Sequence, residues 1–564
     1  VFTKSDGMIV ARTSTNLGIR TMLQAISIFP LLSLCLPAQE MESTDTVKIQ
    51  HYLSAAKPSK INVVEVTGEV VVISGHGNQR AALLEVPFHE NGWGKLNPSH
   101  IHPIKPDSQG NFSITLPRKV QGNDRIYRKW MLANKEGDGW QPLTHSHYAT
   151  SIFSANPADT DIKPGRKGLG AMGLDRPISD LDELNISGVT VNIVLNALVR
   201  SKPEPNTTPF DFEGHTWHAN NQEINRLDRI LQETAKRKIL VSAIILIGQP
   251  GNSPPGSWHR MVSHPKADAS AFFVMPNLHD ADGARAFGAA LYFLASRYGS
   301  SKHGRIHHWI MHNEADQGWM WANAGVLTSL EYLDLYHKSL RMAHLVSRQF
   351  NPGAKAFISL THHWSVAGGK HNHPSKKLLD HLLAFSRAEG DFDWAIAHHP
   401  YPQNLTKPRV WEDNQATFSR NTQKITFKNL EVLDDWVRDP AHQFLGKQNR
   451  TLHLTEQGFN SPDYSEKSLK DQAAGMAYGW NKVKRLPSIT MVHYHNWVDN
   501  RHEFGLRIGL RKFPDEPGDP LGKKPVWHFL KAADTPGEAE TAKPYLPWIG
   551  IQNWEQIMHK GNLN

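Results

Sequence analysis

Two glutamates in this chain stand directly at the ends of apolar runs. Glu314 closes "RIHHWIMHNE" and Glu456 closes "TLHLTE". A buried carboxylate is costly unless it is partnered or used, so an acid delivered by a strand-like segment implies a task at the strand's end. Two carboxyl groups facing each other across a pocket suit cleavage of a glycosidic bond. One protonates the leaving oxygen, and the other attacks the sugar or activates water. Such a pocket also needs flat apolar surfaces for sugar rings. Trp319 and Trp321 follow the first acid, and Trp497 closes a later run, "ITMVHYHNW". Asp316 reads as a helix cap or the partner of an arginine.

These residues need a scaffold, and the chain between them alternates short apolar runs with amphipathic helical stretches. The runs begin at "KGLGAM" (167–172) and "VTVNIVL" (189–195), then "ILVSAIILIG" (239–248) and the Glu314 segment. They continue with "AFISLTHHW" (356–364), "FDWAIAHHPYP" (392–402), the Glu456 segment and "ITMVHYHNW". Continuous apolar strands separated by helical periods predict a parallel sheet. Eight such units predict an α/β fold, a (β/α)₈ TIM barrel over 161–535, whose chemistry sits at the C-terminal strand ends. An open doubly wound sheet is the alternative, but no glycine-rich phosphate loop follows an early strand.

The remainder divides by rhythm. From about Val47 to Pro157, short β-branched runs and turn residues predict an all-β, sandwich-like domain over 39–160. Residues 536–564 read as a tail packing on the barrel. Residues 1–38 read as a leader and signal peptide, with the apolar run "LQAISIFPLLSLCLPA" cut after Ala38. Lipid attachment at Cys35 ranks second, because Leu34 fits that use poorly. The segment before Met22 reads as a mistranslated leader. The run is too short for a comfortable membrane span, so the expectation is export to the periplasm or beyond.

Composition sets outer limits. The chain has 564 residues, 39% hydrophobic and 21% charged, with a net charge of +8, which describes an ordinary globular protein. No basic run is dense enough to suggest nucleic-acid binding. Cys35 is the only cysteine, so the mature protein has no disulfide or zinc–thiolate site. The charge and the 32 histidines permit an anionic polysaccharide, and a neutral one equally.

With two acids in strand order, the pattern resembles the clan A glycoside hydrolases, retaining (β/α)₈ enzymes. The resemblance covers roughly Lys163 to Ala533 and implies a secreted glycosidase without a cofactor, from a less familiar bacterial group. It implies Glu314, directly after Asn313, as acid/base and Glu456 as nucleophile. It further implies that Tyr401 in His399-Pro400-Tyr401 supports the nucleophile. Trp497 would floor the cleavage subsite, and Asn313 would bond the substrate's 2-hydroxyl. One departure is the second strand, which offers Asn196 and a later Arg200 where many clan members carry an arginine.

The histidines support a rival. His312, His362, His363, His398, His399, His493 and His495 lie near strand ends, as in metal-dependent barrel hydrolases. Early-strand histidines are missing, and sugar hydroxyls give such residues, His495 among them, an ordinary task. A non-catalytic glycan-binding barrel is the third reading.

Overall fold

Apolar runs that are buried on both faces can only sit inside a layered sheet. In a computed structural model, which describes residues 43–563, the eight runs form β1 (Lys167–Leu169), β2 (Gly188–Val194), β3 (Leu240–Leu246), β4 (His308–Met311), β5 (Lys355–Thr361), β6 (Ala395–His399), β7 (Leu452–Leu454) and β8 (Ile489–Tyr494). They pair in chain order and close into a barrel. Closure is parallel, with Gly168 of β1 beside both Gly188 of β2 and His493 of β8. The expected leader, its cut site and Cys35 lie outside the described residues. No helix among the described residues is long and apolar enough to cross a membrane.

The barrel's interior is layered. Ile244, Leu246, Ile310, Phe357, Ala395 and Ala397 form one apolar cluster. Beside Phe357 lie the rings of His308 and His453, at 5.3 and 5.0 Å, and His493 lies 6.4 Å from His453. Two glycines make room for this ring. A Cβ on Gly168 would stand 2.5 Å from the His493 ring, and one on Gly188 would stand 2.7 Å from Met491 and 3.1 Å from His493.

Burial keeps these imidazoles neutral. It holds His308 and His312 down to about 3 and His493 to about 4, whereas an imidazole in an unfolded chain titrates near 6.5. Between those values the unfolded chain binds more protons, so stability falls as pH drops below about 6.5. Each ring contributes up to about 1.4 kcal/mol per pH unit. Thermal unfolding at about pH 7 and about pH 5 should therefore differ by many degrees. Equal midpoints would contradict the neutral core.

The N-terminal part is a sandwich of two four-stranded sheets. One holds Lys60–Val66, Val70–His76, Asn111–Pro117 and Ser151–Ile152, and the other Ala82–Pro87, His100–Pro103, Arg128–Glu136 and Gly139–Pro142. The expectation of strands from about Val47 is corrected, since Thr44–Ser54 is a helix. Its N-cap Ser43 accepts from Thr46 N, and Thr46, Ile49 and Tyr52 are buried at three-residue spacing.

The helix Ser329–Arg348, which follows β4, joins the two parts. Every residue in it except Glu331 and Arg348 is buried, because it has the barrel on one side and the N-terminal part on the other. Toward the barrel, Tyr336 donates to Met311 O, and Ser339 Oγ pairs with His312 Nε2 at 2.9 Å. Toward the sandwich, the Thr328 and Thr46 hydroxyls meet at 2.7 Å, and the Arg341 guanidinium lies over the Tyr148 ring. Nearby, Gln349 donates to Tyr127 OH, and Tyr52 OH donates to Glu389 at 2.8 Å. At the C-terminal end, Trp480 and Lys484 reach Glu538, and Trp548 donates to Asp471.

Two insertions, residues 199–220 and 249–280, lengthen the connections that follow β2 and β3. Residues 199–220 form a three-stranded sheet with a Glu213-Gly214 turn, where both residues take positive φ. Its Phe212 packs between Tyr127 of the sandwich and Tyr292 of the barrel layer. The second insertion brings Phe272 and Phe273 against Trp321, at 5.3 and 6.2 Å.

Candidate active site

The chain leaves β4 through an unusual bend. His312 and Glu314 both take positive φ, 59° and 42°, a conformation costing a non-glycine residue roughly 1–3 kcal/mol. The bend is pinned from both sides. His312 N donates to Ile245 O at 3.0 Å, and Glu314 N donates to Ser359 Oγ of β5 at 3.0 Å. Glu314 is thereby turned toward the barrel axis rather than continuing the strand.

Across the axis, β7 delivers Glu456. Tyr401, two residues beyond β6, donates its hydroxyl to Glu456 Oε1 at 3.0 Å. Between the two acids stands His399, fully buried, with Nδ1 3.0 Å from Glu314 Oε1 and Nε2 3.1 Å from Thr455 Oγ1. Glu314, His399 and Glu456 each offer one atom, and these three atoms lie within 4.8 Å of one another. The facing carboxylate oxygens are thus at most that far apart.

The two sides differ electrostatically. Burial pushes the Glu314 carboxyl up to about 7, against the opposing pull of His495 and of Trp321. Burial also holds His399 below the usual imidazole range and, with the charge of Glu456, raises Tyr401. His495 follows β8. Although burial disfavours its cation, the charge of Glu456 and a 3.1 Å hydrogen bond to Glu503 push it up to about 9. At neutral pH the site therefore holds a partly protonated acid on β4 and an imidazolium beside Glu456.

Several expected site residues gather here, and others do not. Asn313 is half-buried, and its Oδ1 has no hydrogen-bond partner, leaving an acceptor available to a ligand. Trp319 is half-buried against His371, at 4.8 Å. Trp321 packs on Phe272, and its indole favours the ionised form of the Glu314 carboxyl.

Trp497 corrects an expectation: it is fully buried and presents no face to a sugar. Its indole N–H donates to Asp180, at 3.0 Å, which also accepts from Trp527 and from Arg511 at 2.6 and 2.7 Å. A carboxylate this deep needs all of those donors, and it draws the indole under the rim. Asn196 likewise spends its Oδ1 on Gly248 N, at 2.8 Å, so that oxygen braces the end of β3. Asp316 is neither a helix cap nor an arginine partner. It is fully buried, accepts from Thr361 N at 2.8 Å and from the Thr361 hydroxyl, and is raised by burial to about 7.

The histidines also separate. His312 faces the helix behind β4, His398 reaches Ile425 O, and His493 lies in the barrel interior. Of the strand-end histidines, His399 alone joins both glutamates in the three-residue cluster. Both of its nitrogens are already engaged. The sequence reading missed Ser359, Thr455 and Glu503. Ser359 and Thr455 are polar interruptions of apolar runs, the one signal that pointed to them.

Comparison with known proteins gives the following. Residues 160–557 match a family described as "Family of unknown function (DUF5722)". No curated protein matches the chain. Among solved structures, it is similar to a family 39 glycoside hydrolase from the gut symbiont Bacteroides cellulosilyticus WH2, at 12% identity over 86% of this chain and 81% of that one, with a TM-score of 0.44. It is similar to a xylanase 10B from Thermotoga maritima at 14% identity, over 68% and 95%, with a TM-score of 0.39. It is also similar to a β-glucuronidase from Bacteroides uniformis at 12% identity and a TM-score of 0.37, covering 84% of this chain but 49% of that one. The chain spans about half the length of that last protein.

Proposed function

The chain belongs to this family of unknown function, and for it we propose a retaining glycoside hydrolase acting on a poly- or oligosaccharide. One observation carries the reading: two glutamates from different barrel strands present facing oxygens no more than 4.8 Å apart. Retaining sites hold their carboxyl groups about 5–5.5 Å apart, whereas inverting sites need about 6.5–9.5 Å to admit a water.

The asymmetry of the site supports the division of labour. Glu314, raised to about 7 by burial, protonates the leaving oxygen as the bond from the anomeric carbon breaks. The Glu456 carboxylate, held by Tyr401, attacks that carbon to form a glycosyl-enzyme. Glu314, now ionised, takes a proton from water, the water oxygen bonds to the anomeric carbon, and Glu456 departs. The unpartnered Oδ1 of Asn313 accepts from a hydroxyl of the bound sugar. Export of the enzyme is part of the proposal, supported by the apolar run between Leu23 and Ala38.

A metal-dependent hydrolase is the second reading, favoured by the same close grouping of Glu314, His399 and Glu456. It requires His399 to give up Glu314 or Thr455. One experiment separates the readings: reducing-end release across a polysaccharide panel, with and without EDTA, with the first-formed anomer followed by NMR. The expected result is EDTA-resistant cleavage with retained configuration. Cleavage lost with EDTA would favour the metal, an inverted anomer would remove the nucleophile, and binding without cleavage would leave a lectin-like barrel.

A further inference from the structure

On the same C-terminal face of the barrel as the two glutamates, past β5 and β6, lies a groove of about 620 Å³ that the proposed chemistry does not use. Its walls are His362 and His363 just past β5, Gln403 and Asn404 just past β6, and Gln415 and Lys424 from the loop beyond. It connects to both halves of the site. His363 Nδ1 meets Gln317 at 3.3 Å, three residues from Glu314, and Thr361 Oγ1 at 3.0 Å, which also holds Asp316. His362 stands near the backbone of Tyr401, whose hydroxyl holds Glu456.

The groove is equipped for an oxygen-rich ligand. His362 of the groove wall is 7% exposed, and its Nδ1 is buried without a hydrogen-bond partner. Lys424 is half-buried, with one bond from Nζ to Gln403 O at 2.9 Å, which leaves two of its three ammonium protons for a ligand. No carboxylate lines the groove. Asp413 is buried behind the wall and accepts from Gln403 N at 3.1 Å. The cleavage site has the opposite balance, with Glu314, Glu456 and Glu503 around one imidazolium. An anionic substituent would be repelled there and attracted to the groove.

We propose that this groove binds the sugar on the leaving-group side of the scissile bond, and that it selects a sugar carrying an anionic oxygen group, sulfate or carboxylate, through Lys424. The inference rests on the glycosidase reading. The leaving oxygen must meet Glu314, and His363 of the groove wall is joined through Gln317 to the loop that carries Glu314. Hydroxyls of the same sugar fill His362 Nδ1 and the amides of Asn404 and Gln415. A half-buried ammonium–anion hydrogen bond is worth about 1.5–3 kcal/mol, which corresponds to roughly ten- to hundredfold in affinity.

The test is calorimetric, so that it does not depend on turnover. Full-length protein carrying Glu456→Gln is titrated with sulfated galactan, polyuronate, neutral galactan and neutral glucan oligosaccharides. The expected result is at least about tenfold tighter binding of one anionic set, weakening with added salt. That preference disappears in Lys424→Met and survives in Lys424→Arg. The sulfated and uronate arms identify which anion is read. Equal binding of charged and neutral fragments, no binding of any, or a preference unmoved by Lys424→Met would overturn the proposal. Lys424-dependent binding in a protein that cleaves nothing would remove the glycosidase reading and leave the groove. Cleavage with charge-blind binding would do the reverse.

Discussion

Replacing Glu456 with Ala lowers kcat by roughly 10⁴-fold or more on every substrate the wild type cleaves, and azide restores part of it on an activated aryl glycoside. The small anion fits the space left by the side chain and attacks the anomeric carbon from the face that Glu456 occupied. The product is a glycosyl azide of inverted configuration, because only one displacement has occurred. Glu456 lies at the rim of the barrel and is half-buried, so the variant should keep its circular dichroism and melting midpoint. Loss of less than tenfold, or azide without effect beside an intact fold, would remove Glu456 from the nucleophile's role.

Glu314→Gln gives the second large effect, and its signature lies in pH and leaving group. A general acid contributes about 10²- to 10⁴-fold, so the variant loses that factor on natural sugars with poor leaving groups. It loses much less on a dinitrophenyl glycoside, whose leaving group needs no proton. Glu314 titrates at about 7 and must be protonated to act. Wild-type kcat/KM on the natural substrate therefore falls as pH rises above about 7, tenfold per unit at the limit. That basic limb is absent from the variant. A limb that persists in Glu314→Gln would assign the titration to another group.

The barrel was legible because each strand is a continuous apolar run buried on both faces, as in Leu240–Leu246, with nothing else for such runs to become. The two glutamates were legible for the same reason: a carboxylate at the end of such a run has one place to go. What failed was direction. Trp497 follows β8 as a subsite floor would, but its indole turns toward Asp180, 317 residues earlier, and no local pattern encodes that partner. Ser359 and Thr455 act through strand register, which decides that one meets the Glu314 backbone and the other meets His399. Glu503 sits in a loop whose sequence has no periodicity to read. The helix Thr44–Ser54 was missed because its apolar face is only Ile49 and Tyr52, too few to outvote the β-branched segment after it.

The helix behind β4 has no outside, and that settles how the chain can be divided. An appended binding module hangs on a linker and can be exchanged between enzymes, since its loss uncovers only solvent-adapted surface. Here the sandwich supplies Lys129, Tyr127 and Tyr148 to a boundary where Lys338, Arg341 and Asp334 of the helix are also sealed from water. Cutting at residue 160, where the family match begins, would unroof those charges and the strand end they stand behind. The two parts share one sealed boundary, and a working graft of this barrel onto another protein has to bring its sandwich along.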